Sequence, residues 1–258
     1  MSRKKSTATR REESRVAAER AAAIRAEQER RERRRRALVV GAVVIAVLVI
    51  VGVIATVVSS QKDTSGQSGA APAGAVANGY AVPAGPATAK TTITVYEDFM
   101  CPFCGQFEAA TRSTVQKGIA DGSVQMQYHV LNFLDGSSTS EYSTRSANAL
   151  AVVLDTSGPE VAKKFHDLLF ENQPEEGSAG LSDGKLLDLA VQAGAPRAKV
   201  SQGISDRRFD QWVDNVTDRA SKDGVTGTPT VLINGKKLES TSVADLAAQV
   251  DKAVATGG

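Results

Sequence analysis

The chain's only two cysteines stand two residues apart, as Cys101-Pro102-Phe103-Cys104. A disulfide stabilises a fold mainly through the length of the loop it closes, and this pair would close almost nothing. Reversible thiol–disulfide exchange is the chemistry that the spacing suits. The apolar run Ile93-Thr94-Val95-Tyr96 precedes the pair and a helical pattern follows it. The start of a helix offers unsatisfied N–H groups and a partial positive charge, and both favour a thiolate. Cys101 is therefore expected at the helix end, exposed and acidified, with Cys104 one turn further in and more buried. A thiolate attacking the sulfur of Cys101 in the oxidised pair would expel Cys104, and the reverse sequence would reduce a substrate. Pro102 fits the first helical turn, where its missing N–H costs little.

Other chemistry has weak support. The two histidines, His129 and His166, lie 37 residues apart, far from the compact ligand spacing of zinc modules, so no metal site is expected. His129 reads as a packed strand residue, and His166 and Trp212 as members of helical stripes. No glycine-rich phosphate loop or Gly-x-Ser-x-Gly elbow is present, and no dissociable cofactor is expected. Glu97 and Asp98 are candidates for proton transfer placed on the loop before the helix, where solvation or helix-terminal electrostatics would equally explain them. Phe99, Met100 and Phe103 could form an apolar rim for unfolded clients, with core packing as the alternative for Phe99.

The elements that must position the cysteines are legible. Thr91–Tyr96 reads as a buried strand, Cys101 to about Gly118 as a helix with Phe107, Ala110, Val115 and Ile119 near one face, and Val124–Val130 as an alternating strand. Between Asn132 and Gly224 the pattern turns helical. Stripes run through Ala147, Leu150, Val153 and Leu154, then Val161, Phe165, Leu168 and Leu169, then Leu186, Leu189 and Ala190, and finally Phe209, Trp212, Val213, Val216 and Ala220. Gly158-Pro159 marks one helix start and Ser182 another. Thr230–Ile233 is a strand leading into Asn234-Gly235, a strong hairpin turn, answered by Lys236-Lys237-Leu238. Ser242 caps a last helix carrying Val243, Leu246, Val250 and Val254. The order is an α/β frame, βαβ…ββα, with an all-helical insertion at about 132–224.

The N-terminal third differs in kind. Residues 1–36 hold 14 Lys/Arg and 6 Glu, a balance of +8, which leaves the remainder at −6 against a total of +2. The 22 residues from Ala37 to Val58 carry no charge. As a helix they would reach about 33 Å, enough to cross a bilayer core. Arg33-Arg34-Arg35-Arg36 abuts this stretch, so the positive-inside rule places 1–36 in the cytoplasm and everything after Ser59 outside. A cleaved signal peptide is the alternative, but its apolar stretch is normally shorter and ends in a small-residue cleavage site. The basic tail is expected to set topology on the membrane and not to bind nucleic acid. Residues 59–90, rich in Ser, Gly, Ala, Pro and Thr, read as a flexible tether, and a single domain follows over 91–258.

The stretch from Thr94 through Glu97-Asp98-Phe99-Met100-Cys101-Pro102-Phe103-Cys104-Gly105-Gln106-Phe107 resembles the active-site region of DsbA-like thiol–disulfide oxidoreductases. Val225-Thr226-Gly227-Thr228-Pro229-Thr230 resembles that family's second active-site segment. The resemblance covers about Thr91–Gly258. It implies a thioredoxin-like fold with an inserted helical subdomain, Cys101 as the reacting sulfur and Cys104 as the resolving one. It also implies a cis Thr228–Pro229 bond whose backbone lines up an extended substrate beside Pro102 and Phe103. The chain departs from that family at Phe103, where DsbA has histidine, and at Val95, where a buried acid is usual. The expectation is a monomeric, membrane-tethered enzyme donating disulfides to reduced secreted or membrane proteins. Its reoxidant would be a quinone-linked membrane partner of the DsbB or vitamin K epoxide reductase-like type. A reductase or isomerase on the same fold, or a tethered chaperone module without enzymatic activity, are the alternatives.

Overall fold

The computed structural model describes residues 69–257. The expected basic tail, the expected membrane span and the first residues of the expected tether lie outside the described residues. Among those described, no helix is long and apolar enough to cross a membrane.

Five strands form one sheet in the order β1-β3-β2-β4-β5. They are β1 (Val82–Ala84), β2 (Thr91–Glu97), β3 (Val124–Val130), β4 (Thr230–Ile233) and β5 (Lys236–Lys237). β2 and β3 run parallel, from Thr91 opposite Val124 to Glu97 opposite Val130. A parallel pair needs a crossover, and helix α1 (Pro102–Ala120) supplies it. β4 returns antiparallel to β2, with Tyr96 opposite Thr230. That register brings the segment before β4 up to the start of α1.

α1 buries Cys104, Phe107, Glu108, Thr111, Val115 and Gly118, a stripe at helical spacing. The expected face is thus rotated: Ala110 is exposed, while the carboxyl-bearing Glu108 is buried. Gly118 lets the helix approach the sheet, since a Cβ there would lie 2.6 Å from Val124 Cγ2.

The helical insertion comprises α2 (Tyr142–Ser157), α3 (Pro159–Glu171), α4 (Asp183–Ala193), α5 (Arg197–Ser205) and α6 (Asp210–Lys222). α2 is buried from Tyr142 to Leu154 except at the half-buried Arg145. Its neighbours approach closely because Ser143, Ser146, Ala147, Ala149 and Ala151 are small. Gly203 of α5 sits where a Cβ would come within 3.0 Å of both Val152 methyls. Two helix starts follow the sequence signals: Pro159 begins α3, and the Ser182 side chain caps α4 by accepting from Lys185 N at 3.2 Å. α5 has no counterpart in the expected elements; Val200 and Ile204 are its only buried residues. Asn234 (φ 50°) and Gly235 (φ 79°) both adopt left-handed conformations, the requirement of the tight hairpin joining β4 to β5. Ser242 caps the last helix, α7 (Val243–Thr256), accepting from Asp245 N at 3.1 Å, and α7 packs on α1.

The expectation of a flexible tether reaching Lys90 is corrected by the described part of that segment. Val76 and Ala81 pair as an isolated bridge, and β1 joins the sheet edge through Val82 opposite Tyr128. Ala81, Val82 and Ala84 are buried. Trp212 of α6 donates from Nε1 to the Gly79 carbonyl at 2.6 Å, and Ala73 N donates to Asp155 Oδ1 at 2.9 Å. A few small apolar residues suffice because they cover an existing sheet edge and the flank of a tryptophan.

Candidate active site

Cys101 is the N-cap of α1, with extended backbone (φ −72°, ψ 115°) and Pro102 at the first helical position. Both cysteines are free thiols in the structure. Cys101 is not exposed as the sequence suggested: 5% of its surface is accessible, and none of Cys104's. The cover comes from far along the chain. The Thr228–Pro229 bond is cis, and the Thr228 carbonyl oxygen lies 3.5 Å from Cys101 Sγ, within reach of a weak S–H donation. Phe99 and Met100 are also buried, so of the expected apolar rim only Phe103 faces solvent, at 51%. Beside it a groove of about 400 Å³ runs over Pro229, Lys237, Glu239 and Leu246. Pro102 is exposed at its end of the turn.

The two thiols are electrostatically unlike. A hydrogen bond from Cys104, together with the Thr228 side chain and the N–H groups of Cys104 and Phe103, outweighs burial and lowers the Cys101 pKa to about 6. Those N–H groups occupy the positions that an N-cap acceptor ordinarily satisfies, and the neutral thiol makes no cap bond to them. Deprotonation therefore completes the cap. Cys104 moves the other way: burial, then the hydrogen bond to Cys101 and the charge on that sulfur, push its thiol well above the ordinary value.

Behind Cys104 lies a buried polar cluster that the sequence did not reveal. Glu97, placed on a loop by the sequence reading, is the last residue of β2 and is fully buried. Its Oε1 accepts from His166 Nε2 at 2.6 Å. Burial opposes a charge on His166, but the Glu97 carboxylate and the hydrogen bonds that the ring donates to Asp167 and Glu97 raise its pKa to about 9. Glu108, one helical turn beyond Cys104, is raised to about 7 by burial and then by the charge of Glu97. Glu97 Oε2 and Glu108 Oε1 have no hydrogen-bond partner among the described residues. Potential ligand atoms of Glu97, Glu108 and His166 lie within 4.8 Å of one another. Tetrahedral zinc, however, holds its N/O donors about 3.3 Å apart, and the 2.6 Å Glu97–His166 contact is a direct hydrogen bond. Proton sharing fits these donors better than metal binding. The one sequence signal was Glu108 itself, an acid on the stripe that buries Phe107.

Asp98 is buried too. Its carboxyl accepts from Met100 N (2.9 Å), Leu134 N (2.9 Å) and Ser143 Oγ (2.6 Å). Desolvation nonetheless raises it to about 7. It ties the active-site turn to the start of the helical block. His129 stacks on Tyr96, ring centroids 4.4 Å apart, away from the cysteines.

The thioredoxin family profile matches residues 77–252. The chain belongs to the thioredoxin family. Its match begins before β1, consistent with the packed segment described above. Among solved structures, the chain is similar to the reduced disulfide bond oxidoreductase DsbG of Mycobacterium tuberculosis, with 31% identity and a TM-score of 0.59 over 69% of this chain and 91% of that one. It is likewise similar to reduced DsbA of M. tuberculosis, with 31% identity and a TM-score of 0.57 over 70% of this chain and all of that one. Within the family it is therefore a DsbA-type thiol–disulfide oxidoreductase. A further relative is the serine/threonine-protein kinase PknE of M. tuberculosis, 32% identical over 154 residues. That alignment takes in 57% of this chain, and the chain spans only 27% of the kinase's length.

Proposed function

We propose that this protein is a membrane-tethered, extracytoplasmic oxidoreductase that donates its Cys101–Cys104 disulfide to reduced secreted or membrane proteins. The observation that carries the reading is the opposed acidity of the two thiols. A stabilised Cys101 thiolate favours the reduced enzyme, and so makes its disulfide a good electron acceptor. The tether rests on the uncharged stretch from Ala37 to Val58 and the arginines before it.

A client thiolate attacks Cys101 Sγ, the Cys101–Cys104 bond breaks, and Cys104 leaves with the electron pair. Its high proton affinity demands a proton at once. Glu108, on the same face one turn away and holding its own proton to about pH 7, is the donor, with the Glu97–His166 pair to share the charge left behind. The client's second thiolate then attacks its own half of the mixed disulfide and expels Cys101 as a thiolate. Two electrons have passed from client to enzyme and a disulfide has formed in the client; of the two client protons, one restores Glu108 and the other is released. Thr228 offers its backbone to an extended client segment next to Cys101, with Pro102, Phe103 and Pro229 lining the approach. A quinone-linked membrane partner then reoxidises the dithiol.

Equilibration with glutathione buffers tests the direction. A potential near or above about −180 mV is expected for a donor of disulfides. A value near −270 mV, that of thioredoxin, would make the same site a reductant.

A further inference from the structure

Gln173 is the first residue after the turn that ends α3, and its side chain leaves the helical block for the active-site turn. The amide nitrogen Nε2 donates to the Phe99 carbonyl at 3.1 Å and to the Cys101 carbonyl at 2.9 Å. Both of its hydrogens are thus spent on the two carbonyls that bracket Met100 and Cys101. Gln173 is itself held locally, because its backbone N–H donates to Phe170 O at 3.2 Å.

The opposite end of the amide explains a residue in α1. A Cβ built on Gly105 would lie 2.2 Å from Gln173 Oε1 and 3.0 Å from its Cδ. Gly105 needs no left-handed backbone, and glycine within a helix costs about 1 kcal/mol relative to alanine. The space it leaves is filled by this one amide.

The consequence falls on the sulfur. The Cys101 carbonyl accepts from Gly105 N at 3.2 Å and from Gln173. Two donors on that oxygen offset its partial negative charge, which would otherwise oppose a thiolate on the same residue. Fixing the carbonyls on both sides also fixes Cys101 in its extended N-cap conformation, the one in which the N–H groups of Phe103 and Cys104 favour a thiolate.

We infer that Gln173 is a positioning residue for the redox turn, through which the helical block sets the acidity of Cys101. This rests on the reading of Cys101 as the reactive sulfur.

The test is a pH titration of thiolate absorbance at 240 nm on the purified, reduced full chain, with Cys101→Ser as the blank. Gln173→Met keeps the side-chain length and removes both donors. It is expected to raise the Cys101 midpoint by about half a pH unit, the size of one modest neutral hydrogen bond. Gly105→Ala leaves Gln173 intact but displaces its amide, and is expected to raise the midpoint similarly, although alanine is the better helix former. The double variant should show no further rise. Unchanged midpoints in Gln173→Met and Gly105→Ala, even with lowered melting temperatures, would make Gln173 merely structural and overturn the inference. If Gln173→Met does not fold, Gly105→Ala alone decides, a rise supporting the inference and an unchanged midpoint overturning it. Wild-type absorbance indistinguishable from the Cys101→Ser blank would instead remove Cys101 as the reactive sulfur.

Discussion

The sulfur of Cys101 lies 3.5 Å from the carbonyl oxygen of Thr228, a residue 127 positions along the chain. β2 and β4 make this contact: they pair antiparallel, so the segment after β2 and the segment before β4 meet at the same end of the sheet. The Thr228 segment thereby shields the nucleophile from bulk water and leaves its own backbone beside it.

Cys101 alkylation by iodoacetamide should follow a single titration with a midpoint of about 6, moving upward in Cys104→Ala, because the largest stabilising contribution comes from the Cys104 hydrogen bond. Stability should follow the same group. The folded pKa lies below the ordinary thiol value of 9.0, so between about pH 6 and 9 the folded reduced protein binds fewer protons than the unfolded chain. This contribution to the stability of the reduced form should therefore rise with pH through that window and fade as pH falls through 6. The oxidised form, which has no thiol to titrate, should lack it. Paired urea denaturations of the two redox forms would read the difference.

Thr228→Val keeps the shape of the side chain and the backbone carbonyl but removes the hydroxyl that lowers the Cys101 pKa. The midpoint should rise by about half a pH unit, the scale of one neutral hydrogen bond. Alkylation at pH 6 should slow accordingly, with little change in melting temperature.

Glu108→Gln should stabilise the fold in alkaline solution. The Glu108 pKa is raised from 4.5 to about 7, so the folded protein retains a proton that the unfolded chain gives up. Stability tied to this group is full below about pH 4.5 and is lost as pH rises through 7. A neutral amide at 108 removes that loss, worth up to roughly 3 kcal/mol, and should leave stability near pH 4 little changed. Denaturation midpoints at pH 4 and pH 8 would separate the two cases.

Trp212→Phe should destabilise the protein by roughly 1–3 kcal/mol, through the lost bond to Gly79 O and the poorer filling of a buried site. Limited proteolysis should then cut first within residues 69–84, since that segment loses its clamp on α6.

Much of the frame was legible because it is local. Asn234-Gly235 specifies its turn through the conformations its residues tolerate, and Ser182 and Ser242 cap helices whose apolar stripes begin just beyond them. The cysteine pair was legible through its spacing alone. Long-range effects were not. Glu97 reads as a loop residue until its partner His166, 69 positions away, draws it into the interior. Gln173 sits among polar residues that look like any connection between helices, and its task depends on where α3 ends relative to α1. α5 escaped notice because two apolar residues anchor it. Residues 76–84 looked like linker because small side chains carry no periodic signal, yet a sheet edge and Trp212 give them something to cover. Cys101 looked exposed because the cover over it comes from Thr228.

Trapping with Cys104→Ala tests the central claim most directly. Without the resolving thiol, an exchange begun at Cys101 stops at the mixed disulfide. The variant, expressed as the full chain, should accumulate client proteins linked through Cys101 that are released by dithiothreitol and absent from Cys101→Ala/Cys104→Ala. A folded Cys104→Ala protein that forms no such adduct under oxidising growth would contradict the account.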